Sequence, residues 1–215
     1  MIEPLRNFYT VADNPGQVSD AKVYGLADAV RRAKYAKAID SKTMTSELTP
    51  GIRSLANAPV GSAHDHWLCG VNVQFDLTFT IKAWTEAERY NWFDIVTSQS
   101  TMHRITRFDL DKAYSPYVDN RIIEIMKEKV AAYNEAIRAK GIGEPSQADP
   151  AELYLEILYS NPAGMYLTAG MTTNYLQLKT ISHQRKTHRL PEWQSFCRWI
   201  ERLPESYLIT GGDAA

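Results

Sequence analysis

From Val71 to Ile81 every odd position is apolar, while Asn72, Gln74, Asp76, Thr78 and Thr80 between them are polar. Strict period two sends alternate side chains to opposite faces of an extended chain, so the segment predicts a half-buried strand. The alternation stops after Ile81. Ala83 to Ser100 contains no Gly or Pro to interrupt a helix and supplies Ala, Trp, Glu, Arg, Tyr and Phe, which predicts a helix with Trp92, Phe93 and Val96 facing the core. Such a helix would deliver Gln99, His103 and Arg104 at its C-terminal end, as a polar cluster close to a sheet edge. The plain alternative is a solvated helix end, where the helix dipole favours cations anyway.

Helical spacing recurs elsewhere. Ser19 to Ile39 reads as a first helix, with Ser19 as N-cap and Val23, Leu26, Ala27 and Val30 as its stripe. Val118 to Ala139 carries Ile122, Ile125, Met126, Tyr133 and Ile137 at helical spacing, with Gly141 placed to end it before a polar turn over Gly141 to Pro150. Ala151 to Tyr159 makes a short helix that Asn161-Pro162 stops, and Thr172 to His183 makes another. Pro191 to Leu203 opens with Pro at a helix start and puts Trp193, Phe196, Cys197 and Ile200 on one face. Residues 41–63 are rich in Ser, Thr, Pro and Gly and read as a long loop, and residues 204–215 as a loose C-terminal tail.

A chain of 215 residues with 44% hydrophobic and 23% charged residues is large enough for one substantial core, so a single domain over 1–215 is expected. The net charge of −1 gives no reason to expect polymeric nucleic acid as a partner. Cys69 and Cys197 lie far apart in apolar or aromatic sequence, which suits a reduced, cytoplasmic protein. The first ten residues have no apolar core of signal-peptide length, and no run of about 18 apolar residues offers a membrane span.

Besides Gln99, His103 and Arg104, chemistry concentrates in two places. Lys179 to Arg202 holds Lys179, Arg185, Lys186, Arg189, Arg198 and Arg202 with His183 and His188, against only Glu192 and Glu201. An arginine fork binds a phosphate or a pyrimidine edge bidentately, so Arg185 or Arg189 would make a nucleotide clamp; a solvated basic surface is the alternative. Trp193 and Tyr175 nearby read as core. His64, Asp65, His66 and Cys69 are metal-ligating residue types, but alternate histidines in a loop need a third ligand from elsewhere and none is signposted, so no metal is expected. Walker, GxGxxG, nucleophile-elbow and HExxH patterns are missing.

The strand ending Leu77-Thr-Phe-Thr-Ile81, followed by Gln99-Ser-Thr-Met-His-Arg-Ile105, resembles the flavin-dependent thymidylate synthases, whose signature is RHRxxSxxxxSxR preceded by a glutamine three residues earlier. Asn174, eleven residues before Arg185, and Glu192-Trp193 soon after, are similar to that family's asparagine, base-binding arginine and AQWE segment. The resemblance runs from about Val71 to Trp199. It implies an α+β fold, with a small antiparallel sheet packed against long helices, and a homotetramer binding FAD across subunit contacts. It also implies reductive methylation of a pyrimidine nucleotide such as dUMP, with NADPH and methylenetetrahydrofolate as co-substrates. On the matching positions, Gln99 and Arg185 would touch the nucleotide, with Arg185 polarising the pyrimidine, while His103, Arg104 and Asn174 would touch the flavin. Met102 replaces the first arginine of the signature, Arg107 and Lys112 stand at its serines and Tyr114 at its last arginine. Leu158 sits where another substrate-binding arginine is expected and Gln74 where a flavin-contacting histidine is expected, leaving Arg107, Lys112 or Arg189 to bind phosphate. A non-catalytic homologue that keeps the fold as a nucleotide-binding or protein-interaction module, and an unrelated interaction protein, are the other readings.

Overall fold

The computed structural model describes residues 4–143 and 148–211. Among these, β1 (Phe8–Thr10), β2 (Val18–Tyr24), β3 (Asn72–Thr80), β4 (Asp94–Ser98) and β5 (Tyr166–Asn174) form one antiparallel sheet in the order β1-β2-β3-β5-β4. The helices are α1 (Leu26–Ala33), α2 (Pro50–Ala56), α3 (Ile81–Ala87), α4 (Thr101–Arg104), α5 (Asn120–Gly141), α6 (Pro150–Ser160), α7 (Tyr175–Arg185), α8 (Pro191–Ile200) and α9 (Tyr207–Thr210). The fold is α+β, as expected. No helix among the described residues is long and apolar enough to cross a membrane.

The chain divides into two compact units, Met1–Thr78 with Glu86–Thr97 and Ala169–Ala215, and Phe79–Thr85 with Ser98–Thr168. In the first unit β3 realises its alternation: Val73, Phe75 and Leu77 are buried while Asn72, Gln74 and Asp76 face out. Beneath it, Phe75 meets Phe93, Phe196 and Trp199 at ring distances of 6.2, 5.7 and 5.0 Å. Asn174 ends β5 and caps α7, its Oδ1 accepting from the Gln177 N–H at 2.9 Å. Pro191 opens α8, which buries Trp193, Phe196, Cys197, Trp199 and Ile200. The second unit has its own core of Ile105, Leu110, Tyr114, Met126, Ile157 and Met165, with α5 packed on α6. Asp119 and Asp149 cap those two helices through the N–H groups of Arg121 and Ala151.

Several sequence expectations are corrected. Ser19 to Ile39 is not one helix: Val18–Tyr24 is strand β2, which pairs with β3 through a register shift between Ser19 and Lys22 and buries Val18, Ala21 and Val23, and after it come the α-helix Leu26–Ala33 and a short 3-10 turn over Tyr35–Lys37. Ala83 to Ser100 breaks after Ala87 into a turn in which Trp92 takes φ 62°, and the chain returns as the edge strand β4. Of the three residues expected in the core there, only Phe93 is buried; Trp92 and Val96 are 69% and 67% exposed. Thr172 to Asn174 belong to β5, so the helix starts at Tyr175. Residues 41–63 include the capped helix α2, and Leu208 and Ile209 of α9 are buried within the expected tail, whose residues 212–215 lie outside the described residues. The polar turn expected over Gly141 to Pro150 lies partly outside them too, at 144–147.

Two consequences are measurable. Gly25 joins β2 to α1 at φ 79°, and a Cβ there would stand 2.9 Å from the Gly70 carbonyl oxygen. Gly25→Ala is expected to cost about 1–3 kcal/mol by urea unfolding, through left-handed strain and this contact. Burial pushes the Cys197 thiol up to about 11 and the Tyr114 phenol up to about 12. Both are neutral when protonated, and the unfolded chain ionises first. Stability is therefore expected to be unaffected by these groups below about pH 9 and to fall as pH rises from 9 toward 12. An alkaline unfolding series checks this, and iodoacetamide should leave Cys197 unmodified at pH 8 until denaturant is added.

Candidate functional site

The basic cluster after β4 is built by anchoring in the second unit. The Gln99 N–H donates to the Thr168 carbonyl at 2.9 Å, and its Oε1 accepts from the Thr168 N–H at 2.9 Å. One end of its amide is thereby fixed against β5. Ser100 begins a short turn, its carbonyl accepting from the His103 and Arg104 N–H groups at 3.4 and 3.0 Å. Fully buried Ile105 then pins the chain to the core of this unit. With Ile105 pointing in, His103, Arg104 and Arg107 point out: all three are exposed, and none has a side-chain hydrogen bond or ion pair among the described residues. Lys112, by contrast, is paired with Asp109 at 2.9 Å, and that bond raises its pKa. Two or three unneutralised donors on adjacent turns form an anion-seeking surface.

The departures from the family signature have local causes. The Tyr114 side chain is nearly buried and donates its hydroxyl to Asn161 Oδ1 at 3.0 Å, and Leu158 packs against the same core. Arginine at either position would bring a guanidinium into that apolar cluster. Met102 is 59% exposed, and its carbonyl accepts from the Tyr154 hydroxyl at 3.0 Å.

In the first unit the expected clamp is already engaged. Arg185 ends α7 and donates from Nε to the Tyr90 hydroxyl at 2.7 Å and from Nη1 to Glu86 Oε2 at 2.9 Å. Its guanidinium lies 5.3 Å from the Tyr90 ring centroid and 5.0 Å from that of Trp193. His188 Nε2 stands 3.1 Å from the same Glu86 oxygen, and the Tyr90 hydroxyl donates to Gln184 Oε1 at 2.9 Å. Arg185 is thus held within the protein rather than presented on it. Arg189, exposed and without a partner among the described residues, is the presented one.

The outer face of the sheet holds a trough of about 230 Å³ that includes Asp20, Lys22, Gln74, Asp76 and Gly170. A Cβ at Gly170 would lie 3.7 Å from Asp76 Oδ1, so glycine keeps the floor open. The Lys22 ammonium bonds both oxygens of Asp20, at 2.7 and 2.8 Å. Gln74 and Asp76 were legible as the polar half of the β3 alternation; Asp20 and Lys22 were hidden by reading β2 as helix. Asp65 is buried in an ion pair with Lys179, and His66 Nε2 lies 3.8 Å from Cys69 Sγ. Among the described residues no group of three or more His, Cys, Asp or Glu could hold a metal ion.

Comparison with known proteins bears on the fold. The chain is similar to the flavin-dependent thymidylate synthase ThyX of Helicobacter pylori complexed with FAD and dUMP, at TM-score 0.59 and 12% identity, covering 87% of this chain and 94% of that one. A second structure of ThyX from Helicobacter pylori with FAD and dUMP gives TM-score 0.56 at 13% identity, covering 86% and 91%. The UMP/dUMP methylase PolB of Streptomyces cacaoi bound with 5-Br dUMP gives 0.51 at 17%, covering 89% and 93%. No protein-family model matches the chain, and no curated protein sequence does. At these identities the likeness establishes a ThyX-like fold.

Proposed function

We propose that this chain is a divergent enzyme of the flavin-dependent thymidylate synthase type, which binds FAD and methylates a pyrimidine nucleotide such as dUMP reductively. The observation that carries the reading is the exposed, unpartnered set His103, Arg104 and Arg107, directly after the anchored Gln99, in a fold whose solved examples hold FAD and dUMP. Charged donors left without internal partners are poised for an anion, and a flavin dinucleotide or a nucleotide offers phosphates. The residues present therefore fit the anionic part of FAD. When bound, the flavin supplies the hydride chemistry, with NADPH and methylenetetrahydrofolate as proposed sources of reducing equivalents and carbon. The protein's own part is to bind and orient: His103 and Arg104 hold the flavin, Arg104 and Arg107 take phosphate, Gln99 offers its amide N–H₂ to the nucleotide, and Asn174 shapes the flavin pocket. The Arg185 guanidinium addresses the pyrimidine edge through Nη2, which makes no hydrogen bond among the described residues, once its pair with Glu86 opens. Arg189 supplements the phosphate contacts.

The same reading includes a cytoplasmic homotetramer, and α5 supports self-association by exposing Ile122 and Ile125, which are 39% and 48% accessible. A second reading, a nucleotide-binding homologue without catalysis, is favoured by the Glu86–Arg185 pair and by the core residues Tyr114 and Leu158 at signature positions. Visible spectroscopy separates the two. Protein mixed with FAD and desalted is expected to retain flavin bands near one per subunit, and added dUMP to perturb them. Colourless protein at every FAD concentration would sink the flavoenzyme reading. If that colourless protein still bound dUMP by calorimetry, the homologue reading would take its place.

A further inference from the structure

A cavity of about 500 Å³ lies within the first unit, along one face of α7. Lys179, Ser182, His183 and Lys186 line it at helical spacing; Arg185 does not. The cavity shares no residue with the flavin and nucleotide site proposed above, so the inference drawn from it goes beyond that reading.

The ammonium at its floor is spoken for, since Lys179 donates to the Ala56 and Ala58 carbonyls and to Asp65 Oδ2. The Thr210 hydroxyl is engaged too, donating to the Ser206 carbonyl at 3.2 Å, but three other polar groups are not. Ser182 is only 8% exposed, yet its hydroxyl has no hydrogen-bond partner among the described residues. Lys186 at the end of α7 and Glu201 at the end of α8 line the same cavity with opposite charges, and no ion pair joins them or engages either one among the described residues. Val60 and Ile209 add apolar wall. A cavity of this volume is of small-molecule size.

We infer that this cavity binds a small zwitterion with an apolar body, of the class of a free aliphatic α-amino acid. Its carboxylate is received by Lys186 and the Ser182 hydroxyl, its ammonium by Glu201, and its side chain by Val60 and Ile209. The argument is one of charge complementarity. A purely anionic ligand brings its charge against Glu201, and a purely cationic one brings its charge against Lys186; a molecule carrying both charged groups on one carbon neutralises both at once and leaves the apolar wall covered.

The test is calorimetric titration of the full-length protein with three probes of one shape: L-leucine, 4-methylpentanoate, which lacks the ammonium, and 3-methylbutylamine, which lacks the carboxylate. Leucine is expected to bind more tightly than either of the others by roughly tenfold or more. Glu201→Gln should remove the advantage of leucine over 4-methylpentanoate, and Lys186→Met its advantage over 3-methylbutylamine. A merely structural role for either residue would weaken all three probes together. Absence of leucine binding at millimolar concentration overturns the inference, and so does 4-methylpentanoate binding the unaltered protein as tightly as leucine.

Discussion

Replacing Lys179 by methionine is expected to destabilise the protein by about 3–5 kcal/mol, a large share of the total stability of a domain this size. The ammonium sits in the middle of α7 with its side chain 9% exposed, and its partner Asp65 is 2% exposed. Its three donors are fully used: Asp65 Oδ2 at 2.7 Å, the Ala56 carbonyl at 2.7 Å, and the Ala58 carbonyl. One side chain thus ties α7 to the end of α2 and to the His64–His66 segment. Methionine fills similar space but leaves a buried carboxylate without its counter-charge and two carbonyls without a donor. The double replacement Asp65→Leu with Lys179→Met discriminates the parts of that cost. Removing both charges should recover most of the loss, yet a residual of about 1–3 kcal/mol should remain for the stranded carbonyls. Urea unfolding of the two variants gives both numbers, and a single-variant loss below about 1 kcal/mol would mean that Lys179 is not the tie between these segments.

The same pair shows why parts of the molecule were legible in sequence and others were not. His64, Asp65, His66 and Cys69 drew the eye as ligand types, but Asp65 is a counter-ion for a lysine whose contact is 114 residues away in the chain. Nothing local encodes that distance. The strand β3 was legible because only one of its faces is buried, which leaves period two in the letters; α5 and α8 were legible because each combines an apolar stripe with a boundary signal, Gly141 at the end of one and Pro191 at the start of the other. The segment Val18 to Ala33 misled because Val23, Leu26, Ala27 and Val30 match a helical stripe across the strand–helix boundary, and only Gly25 marked the break. The turn before β4 carries no such mark, since Trp92 takes a left-handed conformation that usually calls for Gly or Asn. The β-branched Ile95-Val96-Thr97 was the signal that an edge strand begins there. Gln99, His103, Arg104, Asn174 and Arg185 were picked out as candidates by their order and spacing. What could not be read was that Glu86, 99 residues upstream, holds Arg185.

Joint replacement of Arg104 and Arg107 by alanine is expected to weaken FAD and nucleotide binding by roughly 100-fold or more, since each charge-assisted contact to a phosphate is worth about 1.5–3 kcal/mol. The midpoint of urea unfolding should stay within the small range typical of surface substitutions, about 0.5 kcal/mol, because neither side chain has a partner among the described residues to lose. That contrast separates a binding role from a structural one. Lys112, already paired with Asp109 at 2.9 Å, provides the comparison: Lys112→Ala should change ligand affinity little, although it too stands at a signature position. Raising salt should weaken binding in the unaltered protein more steeply than in the double variant, because screening acts only on the charges that remain. If instead the double variant binds both ligands as the unaltered protein does, the phosphates are held elsewhere, and Arg189 becomes the next side chain to remove. Binding lost on Arg185→Ala but kept in the double variant would place recognition at the Glu86–Arg185 pair, which would then have to open before a ligand could enter.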